Sequence, residues 1–164
     1  MGNGFTVEGG VLRRAEGFEA LEEARIPEGV VSIDNGCFAS CGLLRRVVLP
    51  STLRELGVGA FADCRKLEAV DLPEGITRIR KETFSGCESL ATIVVPSTVT
   101  SIGEWAFRDC TNLQTVALPP GVVEICAESF LMCPSLTLLV EGGSYAEGYA
   151  HKFELAYSTT TSRP

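Results

Sequence analysis

The residues best suited to chemistry are the seven cysteines, five of which recur at one spacing. Cys41, Cys64, Cys87, Cys110 and Cys133 follow one another at intervals of 23 residues. If the chain stacks with that period, equivalent sulfur atoms lie about 4.8 Å apart, one strand spacing. Parallel side chains fit the torsion of a disulfide poorly, so we predict a column of small, buried and reduced thiols.

The two cysteines outside this column give little support for a metal site. Cys37 lies four residues before Cys41 and could share a helical face with it, but two ligands are too few for structural zinc. We therefore predict no metal. Cys126 is predicted to be the most exposed and most reactive thiol, because its position in the other repeats is held by Asp34, Gly57, Arg80 and Gly103.

His151 is the only histidine and lies in a predicted C-terminal helix, away from the cysteine column. A Cys–His nucleophile pair is therefore not indicated, and a surface histidine is the simpler interpretation. The sequence also lacks a Gly-rich phosphate loop, a Gly-x-Ser-x-Gly elbow and a His-Glu-x-x-His motif. We predict a protein without catalytic residues and without a cofactor.

A repeat of 23 residues must position these side chains. Leu67–Pro73 has the form Leu-x-x-Val-x-Leu-Pro, which predicts a strand with one buried face that ends at the proline. A second short extended segment and a tight helical turn complete each coil. The largest residues of the repeat keep the same step and are predicted to stack in one interior column: Phe38, Phe61, Phe84, Phe107 and Phe130.

The predicted fold is an α/β repeat, a right-handed solenoid of 23-residue coils with a cap at each end. We expect a single domain over 1–164: an N-terminal cap and partial repeat at 5–26, five repeats at 27–141, a C-terminal cap at 142–157 and a frayed tail at 158–164. Phe18 departs from the pattern, because it stands where a cysteine is expected.

The two caps have their own signals. Phe5, Val7 and Val11 flank Glu8-Gly9-Gly10, which predicts a hairpin over the first coil. Ser144 to Glu147 has the form of a helix capping box. The aromatic residues of that helix are predicted to form a lid over the last coil: Tyr145, Tyr149 and Phe153.

The unit Pro-x-x-Val-x-x-Ile-x-x-x-x-Phe-x-x-Cys-x-x-Leu-x-x-Val-x-Leu, clearest from Pro96 to Leu113, resembles the BspA-like leucine-rich repeat, or Treponema pallidum type. The resemblance covers roughly residues 5 to 157. It implies a bacterial cell-surface or secreted protein that binds other proteins, as adhesins do. It does not identify a ligand, because fold and function transfer separately.

Charge argues against a nucleic-acid partner, and hydropathy argues against a membrane-spanning segment. The formal net charge is −7 and the basic residues form no stripe, so nucleic acid is not expected. No stretch has the length and apolarity of a membrane span. Residues 1–8 lack the pattern of a secretion signal, and reduced thiols would suit the cytoplasm, so the localisation stays open.

The candidate partner site lies on the predicted strands, which the resemblance places on the concave side of the solenoid. The outward positions form two columns that are charged near the N-terminus, at Glu23 and Arg25, and uncharged from Thr92 onward. We predict that a protein or glycan, or a second copy of the chain, covers these columns, because exposed apolar area marks interaction sites. The site comprises Arg46, Val48, Ala69, Asp71, Thr92, Val94, Thr115, Ala117, Leu138 and Val140.

Three alternatives remain open at this point. The Val and Thr residues of the site are also explained by strand propensity alone. Trp105, which occurs in one repeat only, is a secondary candidate for a binding anchor, or else its ring packs along the neighbouring coil. A structural spacer that presents another part of a larger surface protein is the alternative to a binding module.

Overall fold

The computed structural model describes residues 5–14 and 17–160, and in them the chain winds into stacked coils of 23 residues. We number the coils 1 to 5, over 21–43, 44–66, 67–89, 90–112 and 113–135. Each coil begins with a strand at its Leu-x-x-Val segment, and these A strands line one side, the A face. They are β3 (Glu23–Arg25), β5 (Arg46–Val48), β7 (Ala69–Val70), β9 (Thr92–Val94) and β11 (Thr115–Ala117), and a sixth A strand, β13 (Thr137–Glu141), follows coil 5.

A second strand follows the proline turn of each coil, and these B strands line the B face. They are β4 (Ser32–Ile33), β6 (Glu55–Leu56), β8 (Arg78–Ile79), β10 (Ser101–Ile102) and β12 (Glu124–Ile125). Neighbouring strands within each set pair in parallel at all but one place in each set, for example Ser101 with Glu124 in β10 and β12. A single coil is too small to have a hydrophobic core of its own. Side-by-side pairing of equivalent strands stacks the coils, so that they share one continuous core.

The third side of each coil is a run of tight turns whose backbone also bonds to the next coil. The N–H of Phe61 donates to Thr83 O at 2.9 Å, and the N–H of Phe84 donates to Ala106 O at 2.9 Å. Inside these turns the phenylalanine rings stack with centroids 5.2 to 5.6 Å apart and interplanar angles of 2° to 13°. The predicted interior column of Phe38, Phe61, Phe84, Phe107 and Phe130 is confirmed.

The N-terminal cap is the predicted hairpin. β1 (Thr6–Glu8) and β2 (Val11–Arg13) are antiparallel, and both residues of the turn, Gly9 and Gly10, have positive φ as this tight hairpin requires. Phe18, in a 3₁₀ turn at Phe18–Ala20, does not fill a cysteine position. Its ring stacks on Phe38 at 5.1 Å and extends the phenylalanine column by one ring.

The C-terminal cap contains helix α1 (Tyr145–Lys152) and strand β14 (Ala156–Thr160). Ser144 Oγ accepts the Glu147 N–H at 3.2 Å as predicted, while the Glu147 carboxylate accepts the N–H of Gly143 rather than that of Ser144. Tyr149 is buried against Phe130, whereas Tyr145 is exposed and does not belong to the lid.

The segment after the cap helix corrects one prediction. Ser158, Thr159 and Thr160 were expected in a frayed tail, but they lie in β14, which pairs in parallel with β13 and extends the A face by one strand. Residues 161–164 of that predicted tail lie outside the described residues.

Both strand columns are interrupted near the middle of the molecule. The A strands form two sheets, β3–β5–β7 and β9–β11–β13–β14, and the B strands likewise divide between β6 and β8. The turn side stays continuous, since Gly59, Phe61 and Asp63 all bond to coil 3. We call this interruption the seam. The connector 71–77 crosses it, because β7 pairs with the coil before it and β8 with the coil after it.

The proline turns differ where the B strands part, between coils 2 and 3. The A strands part between coils 3 and 4, so the turns described next bear only on the B-strand break. In coils 1 and 3 a glutamate follows the proline and accepts hydrogen bonds from the next coil. Glu28 accepts from Ser51 N and Oγ, both at 3.1 Å, and Glu74 accepts from Ser97 Oγ at 2.9 Å and Ser97 N at 3.3 Å. No such lock joins coil 2 to coil 3, and the Arg54 side chain packs there instead, against Gly75. Coil 4 also lacks a glutamate at its turn, but it has Thr100 in place of Arg54, and its ladders to coil 5 are intact.

The Glu74 lock depends on ionisation. The hydrogen bonds from the hydroxyl and backbone of Ser97 hold the pKa of Glu74 below its usual range. Because the folded pKa is the lower one, this stabilisation is present above the unfolded pKa and is lost as the pH falls through the folded pKa.

Candidate binding surface

Most of the predicted partner site is accessible on the A face. Arg46, Ala69, Asp71 and Thr92 are exposed, and Val48, Thr115 and Ala117 are partly exposed. Val94 is a large apolar residue that is 70% exposed, and it is the last residue of β9, the edge strand of its sheet. The pairing of Thr92 with Thr115 and of Val94 with Ala117 places these four residues next to one another. Together they form an uncharged patch.

Leu138 and Val140 do not belong to this surface. Both are fully buried, because β13 pairs with β11 one residue out of the 23-residue step, with Val116 opposite Leu138. The last coil is one residue short between Leu136 and Leu138, and a shift by one residue turns each strand side chain to the opposite face. Thr137 and Leu139 take the outward positions and are half-buried.

This register gives a test with two adjacent leucines. Leu138→Ala should destabilise the fold by about 2–5 kcal/mol, the usual range for a buried leucine. The matched change Leu139→Ala should cost less than about 1 kcal/mol, because Leu139 keeps contact with solvent. Urea unfolding of the two variants measures both values, and the reverse order of stabilities would restore the register extrapolated from the repeat.

The seam opens a crevice in the A face beside Val94. It has a volume of about 180 Å³ and lies between β7 and β9, with Ala69, Asp71, Thr92 and Val94 among its walls. Within the described residues, the backbone N–H groups of Leu72 and Ala91 make no hydrogen bond. Equivalent N–H groups in coils 4 and 5 do, since Val95 N donates to Ala117 O at 2.9 Å and Gln114 N donates to Ala91 O at 2.8 Å. The sequence analysis did not predict this crevice, because the 23-residue repeat has no insertion or deletion between coils 3 and 4.

The cysteine column is built into the turn side. Each thiol after the first donates its S–H to the carbonyl of a phenylalanine in the preceding coil. Cys64 donates to Phe38 O at 3.1 Å, and Cys87 donates to Phe61 O at 3.3 Å. Burial raises the pKa of both thiols, and it raises the pKa of Cys37 to about 12. Such thiols ionise little near neutral pH and make poor nucleophiles.

The remaining candidates for chemistry are dispersed. Cys126 is partly exposed, as expected, but Cys133 is partly exposed as well, so the prediction of a buried thiol is wrong for this last member of the column. His151 lies on the exposed side of α1, where its Nε2 is 2.7 Å from the Tyr157 hydroxyl. Among residues 5–14 and 17–160, no three His, Cys, Asp or Glu side chains are grouped so that they could hold a metal ion.

Trp105 is held on the turn side rather than free. Its ring is half-buried between the ammonium of Lys81, 4.4 Å from the centroid, and the guanidinium of Arg108, at 5.4 Å. The indole N–H donates to the Glu128 carboxylate of the next coil. Trp105 also has φ of 56°, at a position where coils 1 and 2 have Gly36 and Gly59. The ring therefore packs along its neighbours, and no large part of it is left for a partner.

No helix in the described part of the chain combines the length and apolarity that a bilayer crossing needs.

The comparisons with known proteins agree with the coil architecture. Residues 16–137 match the family model of the BspA-type leucine-rich repeat region, with six copies. A search of curated proteins finds no match.

Solved structures extend the likeness to the whole fold. The Treponema pallidum leucine-rich repeat protein is 30% identical, with a TM-score of 0.77 over 96% of this chain and 79% of its own. A leucine-rich repeat protein from Bacteroides ovatus is 34% identical over 82% of this chain, with a TM-score of 0.70. A leucine-rich cell surface protein from Faecalibacterium prausnitzii is 27% identical over 95% of this chain, with a TM-score of 0.74. This chain spans 38% of the length of each of the last two.

Proposed function

Because the chain belongs to the BspA-type leucine-rich repeat proteins, we propose that it is a non-enzymatic module that binds a protein partner through its A face. The observation that carries the proposal is the exposure of Val94, which is 70% accessible at the end of strand β9. A solvent-facing apolar side chain adds nothing to the core, whereas a partner that covers it gains stability from its burial.

The neighbours of Val94 favour the same surface. Thr92, Thr115 and Ala117 add small, uncharged area on one side, and Arg46 and Asp71 add charge on the other. An apolar centre with a polar rim is the usual composition of a protein interface. Between them, the free N–H groups of Leu72 and Ala91 offer hydrogen-bond donors that a partner's backbone carbonyls can accept. The proposed site thus keeps Arg46, Val48, Ala69, Asp71, Thr92, Val94, Thr115 and Ala117.

A role at the bacterial cell surface is part of this proposal. It rests on the Faecalibacterium protein, which is described as a cell surface protein, and on the adhesin-like roles that the family resemblance implies. A second copy of this chain is the other occupant that the uncharged patch would accept, and measurement of self-association tests it directly.

The proposal is tested with the double variant Thr92→Glu and Val94→Glu. The parent chain is first screened against immobilised extracellular matrix proteins and a glycan array, and its self-association is followed by sedimentation. We expect the double variant to bind each protein ligand at least about tenfold more weakly, because two carboxylates would lose their hydration in the interface. Val123→Glu is the matched control, since Val123 is 63% exposed but lies outside the A strands. If no protein binds the parent, or the double variant binds as tightly as the parent, the A face is not the site.

A further inference from the structure

The seam also opens the B face, in a crevice of different chemistry. The B-face crevice has a volume of about 270 Å³ and is lined by Arg54, Glu55, Leu56, Thr77, Arg78 and Arg80. Its formal charge is +2, from three arginines and one glutamate, on a chain of net charge −7. A local excess of positive charge on an acidic protein is not explained by the general composition.

Unpaired backbone N–H groups supplement the guanidinium groups as hydrogen-bond donors in this crevice. In the other coils, the residue before each B strand donates its N–H to the preceding coil, as Arg54 does to Val31 O and Thr100 to Thr77 O, at 2.8 and 2.9 Å. Thr77 is the exception, because the seam removes Arg54 O from its reach. Within the described residues its N–H makes no hydrogen bond.

The backbone N–H of Arg80 has lost its hydrogen-bond acceptor in the same way. The equivalent residues Gly57 and Gly103 donate to Ile33 O and Ile79 O, each at 2.8 Å, but the N–H of Arg80 bonds to no carbonyl in the described chain. Two unpaired N–H groups therefore lie on one wall of the B-face crevice.

Two of the three arginine side chains, those of Arg54 and Arg78, have no carboxylate partner within the described residues. The Arg78 guanidinium makes no ion pair or hydrogen bond within the described residues, and Arg54 Nη1 donates only to the backbone carbonyls of Ser51 and Leu53. The carboxylate of Glu55 lies 3.6 Å from Arg80 Nη2, which is a loose contact. Guanidinium groups present planar sets of donors that suit oxygen anions, and clustered backbone N–H groups form concave anion sites.

We propose that the B-face crevice binds a tetrahedral oxyanion, phosphate or sulfate, either free or as an ester on a saccharide. The anion would accept hydrogen bonds from the Thr77 and Arg80 N–H groups and from the Arg78 guanidinium. It would also bridge coils 2 and 3 where the strand ladder is missing. This site is on the opposite strand set from the A face and does not depend on the proposed function.

The test is a titration of ¹⁵N-labelled protein with sodium phosphate and sodium sulfate, followed by amide chemical shifts. Sodium chloride at matched ionic strength is the reference. We expect saturable shifts of the Thr77 and Arg80 amides with a Kd below about 1 mM. Arg78→Gln should weaken the binding at least about tenfold. Arg65→Gln, at an exposed arginine that lies 3.6 Å from Glu88, should leave the Kd unchanged.

Two results would overturn the proposal: equal shifts with chloride, or an effect of Arg65→Gln as large as that of Arg78→Gln. A sulfated and a phosphorylated monosaccharide identify the source of the anion. Tighter binding than the inorganic ion at the same amides assigns the site to an ester, and weaker binding assigns it to the free ion.

Discussion

Phe84→Ala should lower the free energy of unfolding by about 3–5 kcal/mol, the range for a fully buried phenylalanine. Phe84 lies in the middle of the ring stack, with centroids 5.6 Å from both Phe61 and Phe107, and it is inaccessible to solvent. In a domain of this size the loss corresponds to a decrease in Tm of about 6–20 °C. Thermal unfolding followed by circular dichroism measures it.

The matched control is Phe153→Ala, which removes the same side chain at the rim of the C-terminal cap. Phe153 is 36% exposed and contacts one ring, Tyr149, at 4.7 Å. Its truncation should cost no more than about 1 kcal/mol, because less apolar area returns to water. Equal losses in the two variants would mean that the stack is not the main source of cohesion between coils.

Thiol accessibility should show the second large effect. In the folded protein, without reductant, only Cys126 and Cys133 should react within minutes with a small thiol reagent, whereas all seven should react in denaturant. The five buried thiols are shielded, and burial raises the pKa of Cys37, Cys64 and Cys87. Their reaction then requires opening of the coil stack, which is rare in a stable protein.

A Cys126→Ser variant serves as the control and should lower the native thiol count by one. Mass mapping of the protein purified without reductant completes the experiment. Three disulfides, or a denatured count well below seven, would contradict the prediction of a reduced column and indicate an oxidising compartment.

The repeat made the core predictable, because position in a 23-residue coil determines whether a side chain points inward. The phenylalanine column and the hairpin cap follow from spacing and turn residues alone. Leu138 and Val140 were assigned wrongly because the repeat was extrapolated across one missing residue. The alternation of Leu136, Leu138 and Val140 was the available signal, since it marks three apolar residues on one face of a strand.

The break between the B strands of coils 2 and 3 had a weaker signal in the sequence. The turns alternate between Pro-Glu-Gly and Pro-Ser-Thr in coils 1 to 4, so the Glu–Ser locks join coils in pairs. This two-coil pattern is visible in the sequence. The sequence does not show that the strand ladder opens, because this depends on how the Arg54 side chain packs between the backbones of coils 2 and 3.

Amide hydrogen exchange of the complex tests binding at the A face most directly. The parent protein is compared with and without a protein ligand found in the screen, or across the concentration at which it self-associates. We predict that exchange at residues 69–72 and 91–94 slows at least about tenfold, while residues 100–103 of the B face exchange at an unchanged rate. Protection confined to the B face, or to the turns around Trp105, would contradict binding at the A face.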